Sequence, residues 1–239
     1  MRDIFLPIVL LHGMWGNANQ FANWSQFLND CGYTVVPLTL PGHELGGNVD
    51  KLSIYNYADA IEGFLSRIGP CHLVGHSMGG LIAQMVGHHK NVRKVALVTS
   101  AAPYGISPTT LAIKLRMLRP RYLKALCTGE GYRVDDGDAR WLMMNCLDDM
   151  FKPSEVFPSC ESGVATWELS QGSVKVQPLK KPTLVIGCND DRMTPVRTQE
   201  AIADLHGATY RTYAGGHLPM LEHRWRRNIN DISTWLLTK

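Results

Sequence analysis

Residues 73 to 81 read Leu-Val-Gly-His-Ser-Met-Gly-Gly-Leu, and this run constrains the fold more than any other stretch of the chain. Cys71-His72-Leu73-Val74 has the composition of a short buried strand. Gly80-Leu81-Ile82-Ala83-Gln84-Met85-Val86-Gly87 has that of an apolar helix. A strand that gives way to a helix within one Gly-x-Ser-x-Gly turn must pinch the backbone at Ser77, and Gly75 and Gly79 leave room for that pinch where a larger side chain would collide. The Ser77 hydroxyl is then pushed out of the sheet at its edge.

The flanking sequence repeats the same alternation. Ile4 to Leu11 reads as a first strand, followed by a helix with Phe21, Trp24, Leu28 and Cys31 on one face. Tyr33 to Leu38 is a second strand, ended by Pro41-Gly42-His43. Ile54, Ala58, Ile61, Leu65 and Ile68 keep a helical period. The third strand leads to Ser77, and Val92 to Thr99 forms a fourth. Pro182 to Gly187 and Thr209 to Tyr213 form the last two, separated by a helix near Thr198 to Leu205. A closing helix carries Trp225, Ile229, Ile232 and Leu236. The expected class is α/β: a doubly wound, mostly parallel sheet of about six strands with helices on both faces.

About 75 residues separate the fourth and fifth strands, far more than an ordinary connection. Leu111, Leu115, Leu118 and Tyr122 suggest a helix bent near Pro120, and Trp141, Leu142, Met143, Met144 and Phe151 suggest a second apolar face. The expected organisation is a core of residues 1–103 and 179–239 with a helical lid, residues 104–178, over the carboxyl ends of the strands, where open α/β sheets bind ligands. Lys114, Arg116, Arg119, Arg121 and Lys124 form a basic run without acids, and Glu130 to Glu161 is mostly acidic. The basic run either meets an anionic substrate, carrier or membrane surface or is balanced by its acidic neighbour.

With 239 residues, 45% hydrophobic and 19% charged, the chain can bury a full core, and a net charge of +3 gives no nucleic-acid-binding arm. The apolar Ile4 to Leu11 lacks a small-residue cleavage site and runs straight into His12-Gly13, so it reads as a strand and not a signal peptide or membrane anchor. The six cysteines show no CxxC pair or metal-ligand spacing. Neither a metal nor a cofactor is expected, and a reducing, cytoplasmic compartment fits them.

A serine hydroxyl needs a base to become a nucleophile, and the base needs a carboxylate to orient it. Of nine histidines, His217 is the best placed, in the glycine-rich loop Ala214-Gly215-Gly216-His217-Leu218-Pro219 after the last strand. His76 should point away from Ser77, and His12 and His43 lie in loops at the same edge. Ala96 to Gly129 contains no Asp or Glu, which excludes a carboxylate after the fourth strand. Cys188-Asn189-Asp190-Asp191-Arg192-Met193-Thr194-Pro195 after the fifth supplies two. Asp191, immediately before Arg-x-x-Pro, is the expected acid, with Asp190 its alternative.

Ser, Asp and His in this order, with the serine on an elbow, resemble the α/β-hydrolase family. The resemblance extends to His12-Gly13-Met14-Trp15-Gly16, Pro41-Gly42-His43, the Gly75 to Gly80 elbow, Asp191 before Arg-x-x-Pro, and Gly216-His217-x-Pro219 with Glu222. The family's usual first two antiparallel strands have no counterpart ahead of His12, so a minimal member is expected. The resemblance implies a catalytic Ser77, Asp191 and His217, with an oxyanion hole formed by the backbone N–H groups of Met14 and Met78. It implies cleavage of a small-molecule ester or thioester with an apolar acyl group through an acyl-enzyme on Ser77, as in esterases, monoacylglycerol-type lipases and thioesterases. Trp15, Trp141 and Met144 are expected to line the pocket. The same site can run a cofactor-free lyase, perhydrolase or acyl-transfer reaction, or serve a small-molecule receptor. Epoxide hydrolases and dehalogenases are disfavoured, since they place Asp where Ser77 stands.

Overall fold

Short runs of aliphatic and β-branched residues build the sheet, and in three of its six strands every residue is buried because helices cover both faces. The computed structural model describes residues 5–107 and 111–238. In chain order it forms β1 (Ile8–Leu11), α1 (Ala22–Asp30), β2 (Val35–Leu38), α2 (Ile54–Ile68), β3 (Cys71–His76), α3 (Met78–Val86) and β4 (Val92–Val98). After a long insertion come β7 (Thr183–Cys188), α9 (Val196–His206), β8 (Thr209–Tyr213) and α10 (Trp225–Leu237). The insertion holds α4 (Leu111–Met117), α5 (Pro120–Thr128), β5 (Gly131–Tyr132), α6 (Asp136–Leu142), α7 (Pro153–Val156), β6 (Glu161–Ser162) and α8 (Gly163–Gln171).

Six strands pair in parallel in the order β2-β1-β3-β4-β7-β8. Alternate side chains serve two cores, as the two-residue period of a strand requires. Ile8, Leu10, Val74, Val98 and Ile186 pack with Trp24, Ile229 and Ile232 on one face. Val9, Leu11, Leu73, Leu97 and Val185 pack with Tyr57, Leu81 and Ile202 on the other. The chain winds outward in both directions from the β1–β3 pair, so the loops after β1 and β3 diverge there and leave a crevice at their carboxyl ends.

Several boundaries differ from the sequence pattern for reasons of hydrogen bonding. The first strand begins at Ile8, while Phe5 lies in a short turn and is 60% exposed; Ile4 lies outside the described residues. Tyr33 is not in β2, because its N–H closes the end of α1 on the Leu28 carbonyl at 3.0 Å. Cys31, expected on the buried face of α1, sits past the end of that helix and is exposed. In the insertion the helix breaks at Pro120, which starts α5, but Leu115 and Leu118 point outward, at 59% and 61% exposure.

The insertion is stitched to the loops after β1 and β2. Ser159 N–H donates to the Trp15 carbonyl (3.0 Å), Gln20 Nε2 to the Val156 carbonyl (2.9 Å), and Ile54 N–H to Glu168 Oε2 (2.8 Å). Fully buried Glu161 accepts from Tyr57 Oη at 2.8 Å and from His43 Nε2 at 3.1 Å. Both His43 nitrogens face acceptors, Glu161 and the Pro41 carbonyl. Burial opposes charge on this ring, but the Glu161 carboxylate outweighs it and holds the pKa above the ordinary histidine value. The basic run is balanced within the insertion: Arg116 and Arg119 each reach the buried Asp138 at 2.6 Å, Arg121 reaches Asp135 at 2.7 Å, and Lys124 reaches Glu130 at 3.0 Å. Among the described residues no helix is long and apolar enough to cross a membrane.

A Cβ on Gly79 would lie 2.3 Å from the Leu11 carbonyl oxygen, part of the sheet backbone, whereas one on Gly63 in α2 would meet only the tip of Arg67 at 3.9 Å. Gly79→Ala is therefore expected to lose about 2–4 kcal/mol in urea unfolding. Gly63→Ala is expected to gain about 0.5–1 kcal/mol from helix propensity.

Candidate active site

Ser77 is the single residue between β3 and α3, and its backbone sits at φ 53°, ψ −120°, a region that L side chains rarely adopt. Its surroundings fix that conformation. Ser77 N–H donates to the Val98 carbonyl (3.1 Å), and its own carbonyl accepts from Gly80, Leu81 and Ala101 N–H at 2.9, 3.2 and 2.9 Å. A Cβ on Gly75 would come within 2.3 Å of the Gly79 carbonyl, so the elbow closes only where side chains are missing.

The pinch turns Ser77 Oγ toward His217, whose Nε2 lies 2.9 Å away, and His217 Nδ1 lies 2.9 Å from Asp191 Oδ2. All three residues are buried. Asp191 is fully occupied: Oδ1 accepts from the N–H groups of Met193 (2.7 Å) and Thr194 (3.0 Å), and Oδ2 also accepts from Thr194 Oγ1 (2.8 Å). An acceptor-only carboxylate facing Nδ1 assigns the proton to that nitrogen, which leaves Nε2 to accept from the serine hydroxyl. This arrangement can move a proton from Ser77 to an imidazole and stabilise the imidazolium that results. Asp190 faces away and is exposed; its backbone N–H bonds to the Gly215 carbonyl at 2.8 Å.

The backbone of His217 is held as firmly as its ring. Its carbonyl accepts from His76 Nε2 at 2.7 Å and from Thr99 Oγ1 at 3.2 Å. His76 thus packs against His217, with ring centroids 5.0 Å apart, and does not point away from the site as expected. A β-strand alternation argument fails here because the ring reaches sideways to the next loop. Burial, then the neighbouring His217, pushes the His76 pKa well below the ordinary value, so it stays a neutral donor. On the other side, Gly216 N–H donates to Glu222 Oε1 at 2.8 Å. Burial raises the Glu222 pKa to about 7, with the nearby Asp191 charge adding to it against the Gly216 hydrogen bond.

The loop after β1 approaches closely: a Cβ on Gly13 would lie 2.8 Å from Ser77 Cβ. His12 anchors that loop as a neutral cross-link, accepting from Leu40 N–H at 2.9 Å and donating from Nδ1 to the Gly13 carbonyl at 2.8 Å. Burial, then His43, lowers its pKa to about 3. Met14 and Met78 line the cavity beside Ser77, and Met78 is the first residue of α3, where a helix leaves N–H groups unpaired. That cavity, about 70 Å3, is walled chiefly by apolar side chains, among them Trp15, Ala102, Ile113, Met117 and Leu169.

Of the three expected pocket residues only Trp15 lines it. Trp141 is 37% exposed and lies between two guanidinium groups, Arg116 at 4.1 Å and Arg192 at 5.2 Å from the ring centroid. Met144 is 2% exposed and packed into the core. His76, Thr99 and Thr194 drew no functional reading from the sequence. His76 and Thr194 lie in stretches already singled out, the serine elbow and the Asp-Arg-x-x-Pro run, and Thr99 ends the fourth strand.

A model described as the alpha/beta hydrolase family matches residues 8–227. The chain belongs to the alpha/beta hydrolase family. The 2-hydroxy-6-oxo-6-(2'-aminophenyl)hexa-2,4-dienoic acid hydrolase of Metapseudomonas resinovorans is 25% identical, over 91% of this chain and 79% of that protein. Among solved structures, a pyrethroid hydrolase from Sphingobium faniae JZ-2 superposes with a TM-score of 0.72 at 20% identity, covering 97% of each chain. A monoacylglycerol lipase of Paleococcus ferrophilus superposes at 0.70 with 18% identity, over 97% of this chain and 93% of that one. These structural likenesses concern the family fold.

Glu222 gives the site a measurable signature. Its folded-state pKa is above its unfolded value, so its contribution to stability is full below the unfolded pKa and is lost as pH rises toward 7. Glu222→Gln removes this ionisation. Relative to the wild type, the variant is expected to gain on the order of 2 kcal/mol in stability between pH 5 and pH 8, read by denaturant unfolding across that range.

Proposed function

We propose that the protein is a serine hydrolase that cleaves a carboxylic ester or thioester with an apolar acyl group through an acyl-enzyme on Ser77. The observation that carries this reading is the continuous hydrogen-bonded line from Ser77 Oγ through His217 to Asp191, at 2.9 Å for each step. The apolar walls of the adjoining cavity support an apolar acyl group. The names of the relatives, hydrolases and a lipase, agree with the reaction class.

In this mechanism His217 Nε2 takes the hydroxyl proton as Ser77 Oγ attacks the substrate carbonyl, and Asp191 stabilises the imidazolium. The carbonyl oxygen becomes an oxyanion held by the Met14 and Met78 N–H groups, the latter at the positive end of α3. Collapse of the tetrahedral intermediate breaks the bond to the leaving group, which departs with the proton from His217. Water, deprotonated by the same nitrogen, attacks the acyl-enzyme; collapse releases the acid and returns the proton to Ser77. Residues 104–178 act as a cover that keeps bulk water from the oxyanion, joined to a core of residues 1–103 and 179–239. The six cysteines, all unpaired, suit a reducing compartment such as the cytoplasm.

Ser77→Ala removes a small group without changing core volume. It is expected to lower turnover of short p-nitrophenyl esters by about 10⁴-fold or more with unchanged thermal unfolding. Activity above that level would place the nucleophile elsewhere.

The adjacent aspartates give an independent check. Asp191→Asn is expected to cost about 10⁴-fold in kcat by favouring the wrong imidazole tautomer. Asp190→Asn, at an exposed position, is expected to stay within a few-fold of wild type. A severe loss confined to Asp190→Asn would move the acid to the other residue.

A further inference from the structure

Two cavities meet Ser77, and the proposed reaction assigns them different parts of the substrate. The leaving group takes its proton from His217 Nε2, so it departs on the His217 side of Ser77, where His76 and Phe157 line a space of only about 10 Å3. The second cavity touches Ser77 and Met78 but not His217, so it faces the acyl side. At about 70 Å3 it holds a short acyl group only, on the order of five water-sized groups.

This acyl chamber shares a wall with a second, larger space. Ile113, Met117 and Ser170 line it and also line a neighbouring groove of about 330 Å3 between α4, α5 and α8. The groove's other walls include Leu118, Leu123, Leu126 and Trp167. Leu118, Leu123 and Trp167 are 61%, 40% and 51% exposed, so the groove presents apolar side chains to water. The partition is adaptable, since Met117 is unbranched and only partly buried.

We propose that this groove is the subsite for the distal part of a medium or long unbranched acyl chain, with Ile113 and Met117 forming the gate between it and the chamber at Ser77. The inference rests on the serine-hydrolase reading and narrows its substrate class to fatty acyl esters or thioesters. An acyl chain of two to four carbons stays in the chamber. A longer one passes the gate and exchanges water for the faces of Leu118, Leu123 and Trp167. The shared wall of Ile113, Met117 and Ser170 sets the groove directly behind the acyl side of Ser77, which argues for this occupant.

The test measures kcat/KM for p-nitrophenyl esters from acetate to dodecanoate, below their aggregation concentrations, and for acetates of ethanol to octanol. Beyond butyrate the wild type is expected to gain about two- to fourfold per acyl methylene until the groove is filled. Lengthening the alcohol is expected to give no comparable gain. Met117→Trp, which narrows the gate, and Trp167→Ala, which strips the groove wall at an exposed site, are each expected to lower the octanoate-to-acetate ratio about tenfold. Leu115→Ser, exposed and outside the groove, is expected to leave the profile unchanged. Unaltered ratios in both groove variants, or a chain-length gain that follows the alcohol, would overturn the subsite while Ser77-dependent turnover stands. Ester cleavage that persists in Ser77→Ala, or none by the wild type, would overturn the hydrolase reading and the subsite with it.

Discussion

The left-handed backbone of Ser77 is the constraint on which the site depends. Such a conformation in a residue with a Cβ costs about 1–3 kcal/mol, and it persists only where neighbours over-determine it. Here the Val98 carbonyl, three N–H groups on the Ser77 carbonyl and the close approach of Gly75 to Gly79 do so. The two hydrophobic cores that fix β3 between β1 and β4 supply the stability that offsets this strain. Relaxing the elbow would turn Oγ away from His217, so packing far from the serine sets a 2.9 Å distance at it.

The second requirement is that a loop histidine be held as rigidly as a strand residue. His217 follows β8 in a glycine-containing turn, where a side chain would ordinarily wander. Its ring is fixed by Asp191 and Ser77, its carbonyl by His76 and Thr99, and the peptide before it by Glu222. Three of these five partners are ionisable groups, and burial tunes two of them in different directions: His76 is kept neutral and Glu222 is brought to about 7. Local hydrogen bonds therefore replace secondary structure as the source of preorganisation.

The strands are legible because a parallel sheet covered on both faces needs apolar runs, such as Ile8 to Leu11 and Thr183 to Cys188. Their ends were less so, since no hydropathy pattern reveals that the Tyr33 N–H closes α1. The paired β5 and β6, two residues each, are too short to leave a period. In the insertion, apolar letters misled: Trp141 stacks with guanidinium groups at the surface and Leu115 faces solvent, because a thin helical layer has little interior to offer. Asp190 and Asp191 were chemically equivalent in the sequence. A turn in which the Asp191 N–H bonds to the Cys188 carbonyl at 3.2 Å separates them, burying one carboxylate against His217 and exposing the other. The role of His76 was hidden because it acts on a residue 141 positions away.

The proposed reaction requires that Ser77 become acylated. The most direct measurement is intact-protein and peptide mass spectrometry after reaction with an alkyl fluorophosphonate and, separately, after an acid quench during ester turnover. One adduct per chain is expected, mapped to the peptide containing Ser77 and absent from Ser77→Ala. An adduct on another residue, or ester turnover without any covalent species and with Ser77 unreactive toward the fluorophosphonate, would contradict it.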